Sequence, residues 1–119
     1  LGRYLKATKE KGTILKPNAE KGLELFVDAD FSGNWDQRES WDRDTARSRH
    51  GYIVKYNGCP LLWKSQMQTE IALSSTESEY TGMSYGLREV IPIMEILKEM
   101  KAMQFPVTKE IPKVHYRVF

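Results

Sequence analysis

Apolar and polar positions divide this chain into segments of two different periods. Leu23-Glu24-Leu25-Phe26-Val27-Asp28-Ala29-Asp30 alternates loosely after Gly22 and predicts a strand. Gly51–Tyr56 predicts a second strand and Pro60–Ser65 a third. Asn57-Gly58 between them is a strong two-residue hairpin signal, so these two are antiparallel. Beyond Ser74 the period changes. Tyr80, Met83, Leu87, Ile91 and Met94 recur at spacings of three and four and predict a long helix that ends near Met103. Pro92 is expected to kink or break it. Ser74 with Glu77, or Thr76 with Glu79, would each make a capping box at its start. Lys113–Phe119 predicts a fourth strand. Residues 1–12 read as the end of a helix stopped by Gly12, and Lys16-Pro17-Asn18 as a turn. The order predicts an α/β fold: a mixed sheet with antiparallel first three strands, one long helix on one face, and a fourth strand made parallel by a right-handed crossover.

Composition narrows this only slightly. A chain of 119 residues with 40% hydrophobic and 29% charged content is ordinary for one soluble globular domain. No apolar run approaches a membrane span, and Leu1-Gly2-Arg3-Tyr4 has neither Met nor a signal-peptide pattern. The expectation is a piece of a longer polypeptide. The lone Cys59 excludes an internal disulfide and fits a reducing compartment, hence an intracellular, non-secreted protein. The net charge of +2 is unevenly spread. Residues 1–22 hold six basic and two acidic side chains, or +4, leaving twelve against fourteen, or −2, for the remainder. Any nucleic-acid contact by the body of the domain must therefore be local. Residues 34–50 carry four acids and four Arg, with Trp35 and Trp41 as the main apolar content. Such a loop is either solvated and self-paired, or a phosphate contact through Arg47 and Arg49.

Among candidate chemical groups, the carboxylates stand out. Asp28 and Asp30 are two apart on a strand and so share a face. They either grip a cation or simply end the strand. Glu77 and Glu79 flank the helix's apolar stripe, each about 80° from its centre at about 100° per residue. Gly82 and Gly86 lie on the Glu79 side, which favours Glu79 as the inward group, while acids in a first turn also cap the helix. His50 reads as a loop residue and His115 as a strand residue, with no metal-ligand spacing to Cys59. Trp63 reads as core, and Trp63-Lys64-Ser65-Gln66 as a strand end able to touch sugar and phosphate.

Several of these strings together resemble the ribonuclease H domain of copia-type LTR retrotransposon polyproteins. Val27-Asp28-Ala29-Asp30-Phe31-Ser32-Gly33 resembles that family's first-strand signature, and Arg47-Ser48-Arg49-His50-Gly51-Tyr52 its entry to the second strand. Trp63-Lys64-Ser65-Gln66 and Ala72-Leu73-Ser74-Ser75-Thr76-Glu77-Ser78-Glu79-Tyr80 resemble its third strand and helix start. Arg3-Tyr4-Leu5-Lys6-Ala7-Thr8 resembles the helix closing the preceding reverse transcriptase module, which puts residues 1–17 outside the ribonuclease H-like domain and 18–119 inside a truncated one.

The resemblance implies a ribonuclease H-like fold that cleaves the RNA strand of RNA–DNA hybrids with two Mg²⁺ (or Mn²⁺) about 4 Å apart. By matching, Asp28 and Glu79 are catalytic acids and metal ligands, and Asp30 is a substitute oxygen ligand. Arg47, Arg49, Lys64, Ser65 and Gln66 are implied nucleic-acid contacts, with the reverse transcriptase module as a second partner. The family's third and fourth acids have no match in this chain, so weak metal binding and little or no activity are expected. The rival expectation is a non-catalytic relic that binds nucleic acid or protein. A sheet left partly uncovered would expose an apolar patch near Val114 and Val118 and favour self-association.

Overall fold

The computed structural model describes residues 1–31, 37–39, 41, 46–107 and 109–116. Residues 32–36, 40, 42–45, 108 and 117–119, among them Trp35, Asp36 and Val118, lie outside the described residues. The elements are α1 (Gly2–Ala7), β1 (Leu23–Asp30), a 3-10 turn (Gln37–Glu39), β2 (Arg49–Tyr56), β3 (Cys59–Met67), α2 (Ser75–Ala102) and β4 (Lys113–Tyr116). They form one four-stranded sheet in the order β3-β2-β1-β4. β1 and β2 pair antiparallel over their full length, from Leu23 opposite Tyr56 to Asp30 opposite Arg49. β2 and β3 continue the antiparallel ladder with a bulge at Val54/Lys55, and β4 runs parallel to β1. The mixed α/β architecture expected from the pattern is thus the observed one.

Local chemistry explains the turns and caps. Asn57 and Gly58 both take positive φ, +53° and +81°, as a tight hairpin turn between β2 and β3 requires. α2 starts on Ser74, whose Oγ accepts from the Glu77 N–H at 3.1 Å, while the Leu73 N–H donates to Glu77 Oε2 at 2.8 Å. Glu77 is therefore an exposed capping acid. α2 runs without a break through Pro92. Pro92 and Arg88, whose carbonyl loses its partner there, are both exposed, so water can satisfy that carbonyl.

The buried stripe of the helix is rotated from the one its large residues mark out, with Leu87 and Met94 of that stripe still packed against the core. Ser78, Gly82, Gly86, Val90 and Leu97 are buried, whereas Tyr80 is 75% and Ile91 48% exposed. Two glycines bring the helix backbone onto β1. A Cβ at Gly82 would sit 3.4 Å from Ala29 Cβ, and one at Gly86 would sit 3.0 Å from Val27 Cγ2. The core then forms on that side of the sheet: Leu23, Leu25 and Val27 of β1, Tyr52 and Val54 of β2, Val90 and Leu97 of α2, and Val107.

Period-two alternation sends the intervening residues to a face that no described helix covers. Phe26 of β1, Ile53 of β2, Trp63 of β3 and His115 of β4 form one row across all four strands. Phe26 and His115 stack at 4.5 Å, and Lys55 Nζ lies 5.0 Å from the Phe26 ring. Trp63 is 69% exposed, so it is a surface residue of this open face and not core. Of the apolar patch expected near Val114 and Val118, only Val114 is described. Val114 pairs with Leu25 and packs against the core, while Ile53, Leu61 and Trp63 on the open side of the sheet are exposed.

Candidate active site

Asp28 and Asp30 both alternate away from α2 and are exposed, as two strand residues on one face must be. Asp28 stands opposite Gly51, which in turn faces Ser65 on β3. Asp30 stands opposite Arg49, followed by Met67. A depression of about 560 Å³ opens beside them, its lining including Phe26, Asp28, Gly51, Ile53, Trp63 and Ser65.

Glu79 is half-buried in the first turns of α2, on the flank where Gly82 and Gly86 seat the helix. Contacts of Gly86 with Leu25 and Val27, and of Gly82 with Val27, Ala29 and His50, show that the start of α2 lies toward the C-terminal end of β1. Asp28 and Glu79 therefore share one end of the sheet but approach it from opposite faces.

Strand parity splits the other candidate contacts. Ser65 and Arg49 share the open face with Asp28 and Asp30. Lys64 pairs with Tyr52 and Gln66 with His50, which places both on the helix side. Arg47 is half-buried just before β2. The five residues thus do not form a single patch: two stand by the carboxylates, two are on the other face, and Arg47 precedes the strand.

The start of α2 is fixed by a residue without a role in the sequence reading. Gln68 is 2% exposed; its Nε2 donates to the Ser78 carbonyl at 2.9 Å, and its backbone N–H donates to the Ser48 carbonyl at 2.8 Å. It ties the end of β3, the approach to β2 and the first turn of α2 together, and so sets where Glu79 projects. A buried side-chain amide of this kind stands out in sequence only as polarity between two apolar runs.

His50 is the second departure. It belongs to β2 and is 1% exposed, stacked on Tyr85 at 4.5 Å, with neither ring nitrogen hydrogen-bonded among the described residues. Burial first, and then the Lys64 ammonium, pull its pKa below the ordinary value. Burial, followed by the Glu89 carboxylate, pushes the Tyr52 hydroxyl up.

The His50 shift has a defined sign. Its folded pKa is depressed, so below about pH 6.5 the unfolded chain binds the proton that the folded chain refuses. Stability supplied by neutral His50 is full above that value and is lost as pH falls toward the folded pKa. The urea midpoint is expected to drop between pH 7.5 and pH 5.5 (about one unit either side of the free imidazole), and His50→Phe is expected to flatten that drop. An equal drop in His50→Phe would place the acid sensitivity elsewhere.

These features define a small α/β protein whose helix packs on one sheet face and starts toward the end of the sheet that carries Asp28. The chain is 34% identical over 98 residues to the retrovirus-related Pol polyprotein from transposon RE1 of Arabidopsis thaliana, covering 82% of this chain and 6% of that protein. It is 32% identical over 98 residues to the Pol polyprotein from transposon TNT 1-94 of Nicotiana tabacum, covering 82% and 7%. It is also 35% identical over 89 residues to secreted RxLR effector protein 161 of Plasmopara viticola, covering 75% of this chain and 57% of the effector. The transposon similarities support a retrotransposon Pol origin, and the chain spans only a small part of those polyproteins. No family model matches the chain, and no solved structure matches it. Among the described residues no helix is long and apolar enough to cross a membrane.

Proposed function

We propose that this chain is part of a ribonuclease H-like nuclease module of a retrotransposon Pol polyprotein, with Asp28 and Glu79 as one half of a metal-binding site for cleaving RNA in RNA–DNA hybrids. The observation that supports this reading most is the arrival of a strand Asp and a helix Glu at one end of the sheet, in a chain similar to Pol polyproteins. An intracellular location, a reverse transcriptase module as neighbour, and a boundary near residue 17 belong to the same proposal.

Mg²⁺ takes near-octahedral oxygen coordination, and few carboxylates hold it weakly. Among the described residues no three His, Cys, Asp or Glu stand close enough together to hold a metal ion. Asp30 follows Asp28 on the same face, with Arg49 opposite it on β2. The described residues therefore fit part of a two-metal centre and not the whole. When bound, the metals would activate water and stabilise the leaving oxygen. This chain's own contribution is positional: β1 presents Asp28, and Gln68 holds the start of α2 so that Glu79 projects to the same end. Ser65 and Arg49 offer a hydroxyl and a guanidinium to a phosphate on the Asp28 face.

The incomplete ligand set also favours a second reading, a non-catalytic module that binds nucleic acid or protein. Release of labelled RNA from an RNA–DNA hybrid, with Mg²⁺ or Mn²⁺ present, tests the primary one. The chain alone is expected to bind hybrid without releasing RNA above background. Metal-dependent release that is lost in Asp28→Asn and in Glu79→Gln would overturn the incomplete-site account. Failure to bind hybrid at all would remove the nuclease reading.

A further inference from the structure

One strongly basic part of the molecule lies away from the carboxylates. In residues 1–21 every side chain is exposed except Thr8, which is half-buried. This segment contains Arg3, Lys6, Lys9, Lys11, Lys16 and Lys21, against Glu10 and Glu20. α1 within it buries no residue. Its root is fastened to the β2–β3 hairpin: the Asn18 N–H donates to the Asn57 carbonyl at 2.7 Å, and the Asn57 N–H donates to the Gly22 carbonyl at 2.8 Å. The hairpin lies at the start of β1, and Asp28 lies five residues further along that strand. At about 3.3 Å per residue, root and carboxylate are separated by roughly 17 Å. The molecule is correspondingly elongated, 58 × 40 × 21 Å.

We propose that this exposed basic segment is a second docking surface for nucleic acid, taking the phosphate backbone of a duplex whose other contact is the Asp28 end of the sheet. The proposal rests on the nuclease reading for the identity of its partner. Its physical basis is the division of charge. The end that carries Asp28, Asp30, Glu77 and Glu79 sets those acids against Arg49, and the chain beyond residue 22 sums to −2. Residues 45–69 carry Arg47, Arg49, Lys55 and Lys64 without an acid, and the first 22 residues supply a second balance of +4 away from the carboxylates. Phosphate contacts need exposed cations without fixed geometry, which is what this segment offers. Tyr4 and Leu5, 67% and 56% exposed, add apolar surface that can pack on sugars.

The test uses the whole chain and a fluorescein-labelled RNA–DNA hybrid, with binding followed by anisotropy across a salt series in EDTA. The comparison variant combines Lys6→Gln, Lys9→Gln, Lys11→Gln and Lys16→Gln, four exposed positions whose loss leaves the core untouched. Each phosphate neutralised contributes about −0.9 to the slope of log affinity against log salt, so the variant's slope is expected to be shallower by about 3.6. Between 50 and 200 mM salt, about a hundredfold of the wild-type loss of affinity should disappear. An unchanged slope and affinity would overturn the proposal, even if hybrid is cleaved. Displacement of hybrid by polyglutamate as readily as by unlabelled hybrid would also overturn it, in favour of an acidic protein partner. A wild-type chain that binds through this segment but is never part of a nuclease would leave the docking surface standing and remove the catalytic reading alone.

Discussion

Gly86→Val is expected to cost about 3 kcal/mol of folding stability, read as a fall in the urea midpoint at unchanged slope. A first added carbon would already stand 3.0 Å from Val27 Cγ2 and 3.2 and 3.3 Å from the Leu25 methyls. The helix must then lift or the β1 side chains must leave their rotamers. Gly86→Ala carries the same contact but recovers about 1 kcal/mol of helix propensity, so its net loss should be small, about 1 kcal/mol. Val adds two methyls and a β-branched penalty. The change acts on function as well as on stability. Gly82 and Gly86 hold α2 against β1, so lifting the helix moves Glu79 relative to Asp28. A Gly86→Val chain as stable as wild type would mean that α2 does not seat on β1 through its glycines.

Leu25→Ala is expected to cost about 3 kcal/mol, whereas Ile53→Ala on the neighbouring strand should cost less than about 1 kcal/mol. Leu25 is fully buried at the centre of the helix-side core, with Gly86 directly above it. Truncating it leaves a cavity between helix and sheet. Ile53 is 41% exposed on the open face, in the row with Phe26 and Trp63. Its methyls are already partly in water, so less is lost. Paired chemical denaturation of the two variants therefore reports which sheet face holds the core. Equal losses would show that the Ile53 face is covered in solution, by a second copy or by another part of the polypeptide.

Strand and helix identities were largely readable from the pattern, because β1 alternates loosely, β2 and β3 are short apolar runs, and Asn57-Gly58 between them has little choice of turn. Which face each strand residue takes was less readable. Pro60-Leu61-Leu62-Trp63 is apolar at consecutive positions, so parity there is ambiguous, and Trp63 lies on the open side. His50 was hidden because β2 begins two residues earlier than its apolar run, inside a polar stretch. The helix face was misjudged for a physical reason: glycine adds nothing to a hydrophobic period, yet it permits the closest backbone approach. The same glycines point to Glu79, and the burial of that flank agrees with them. For the candidate site, an Asp inside a strand was conspicuous. That Asp28 and Glu79 come from opposite faces depends on strand parity and helix placement together, which no local pattern encodes.

The central claim is that Asp28 and Glu79 act on one ion. Titration of the chain with Mn²⁺, followed by paramagnetic broadening of assigned backbone amide signals, tests it most directly. Broadening is predicted to centre on residues 28–30 and 77–80 together, with a dissociation constant on the order of 1 mM. It should vanish from both segments in Asp28→Asn and weaken in Glu79→Gln. Broadening at Asp28 without Glu79, or a pattern unaltered by Asp28→Asn, would contradict a shared site.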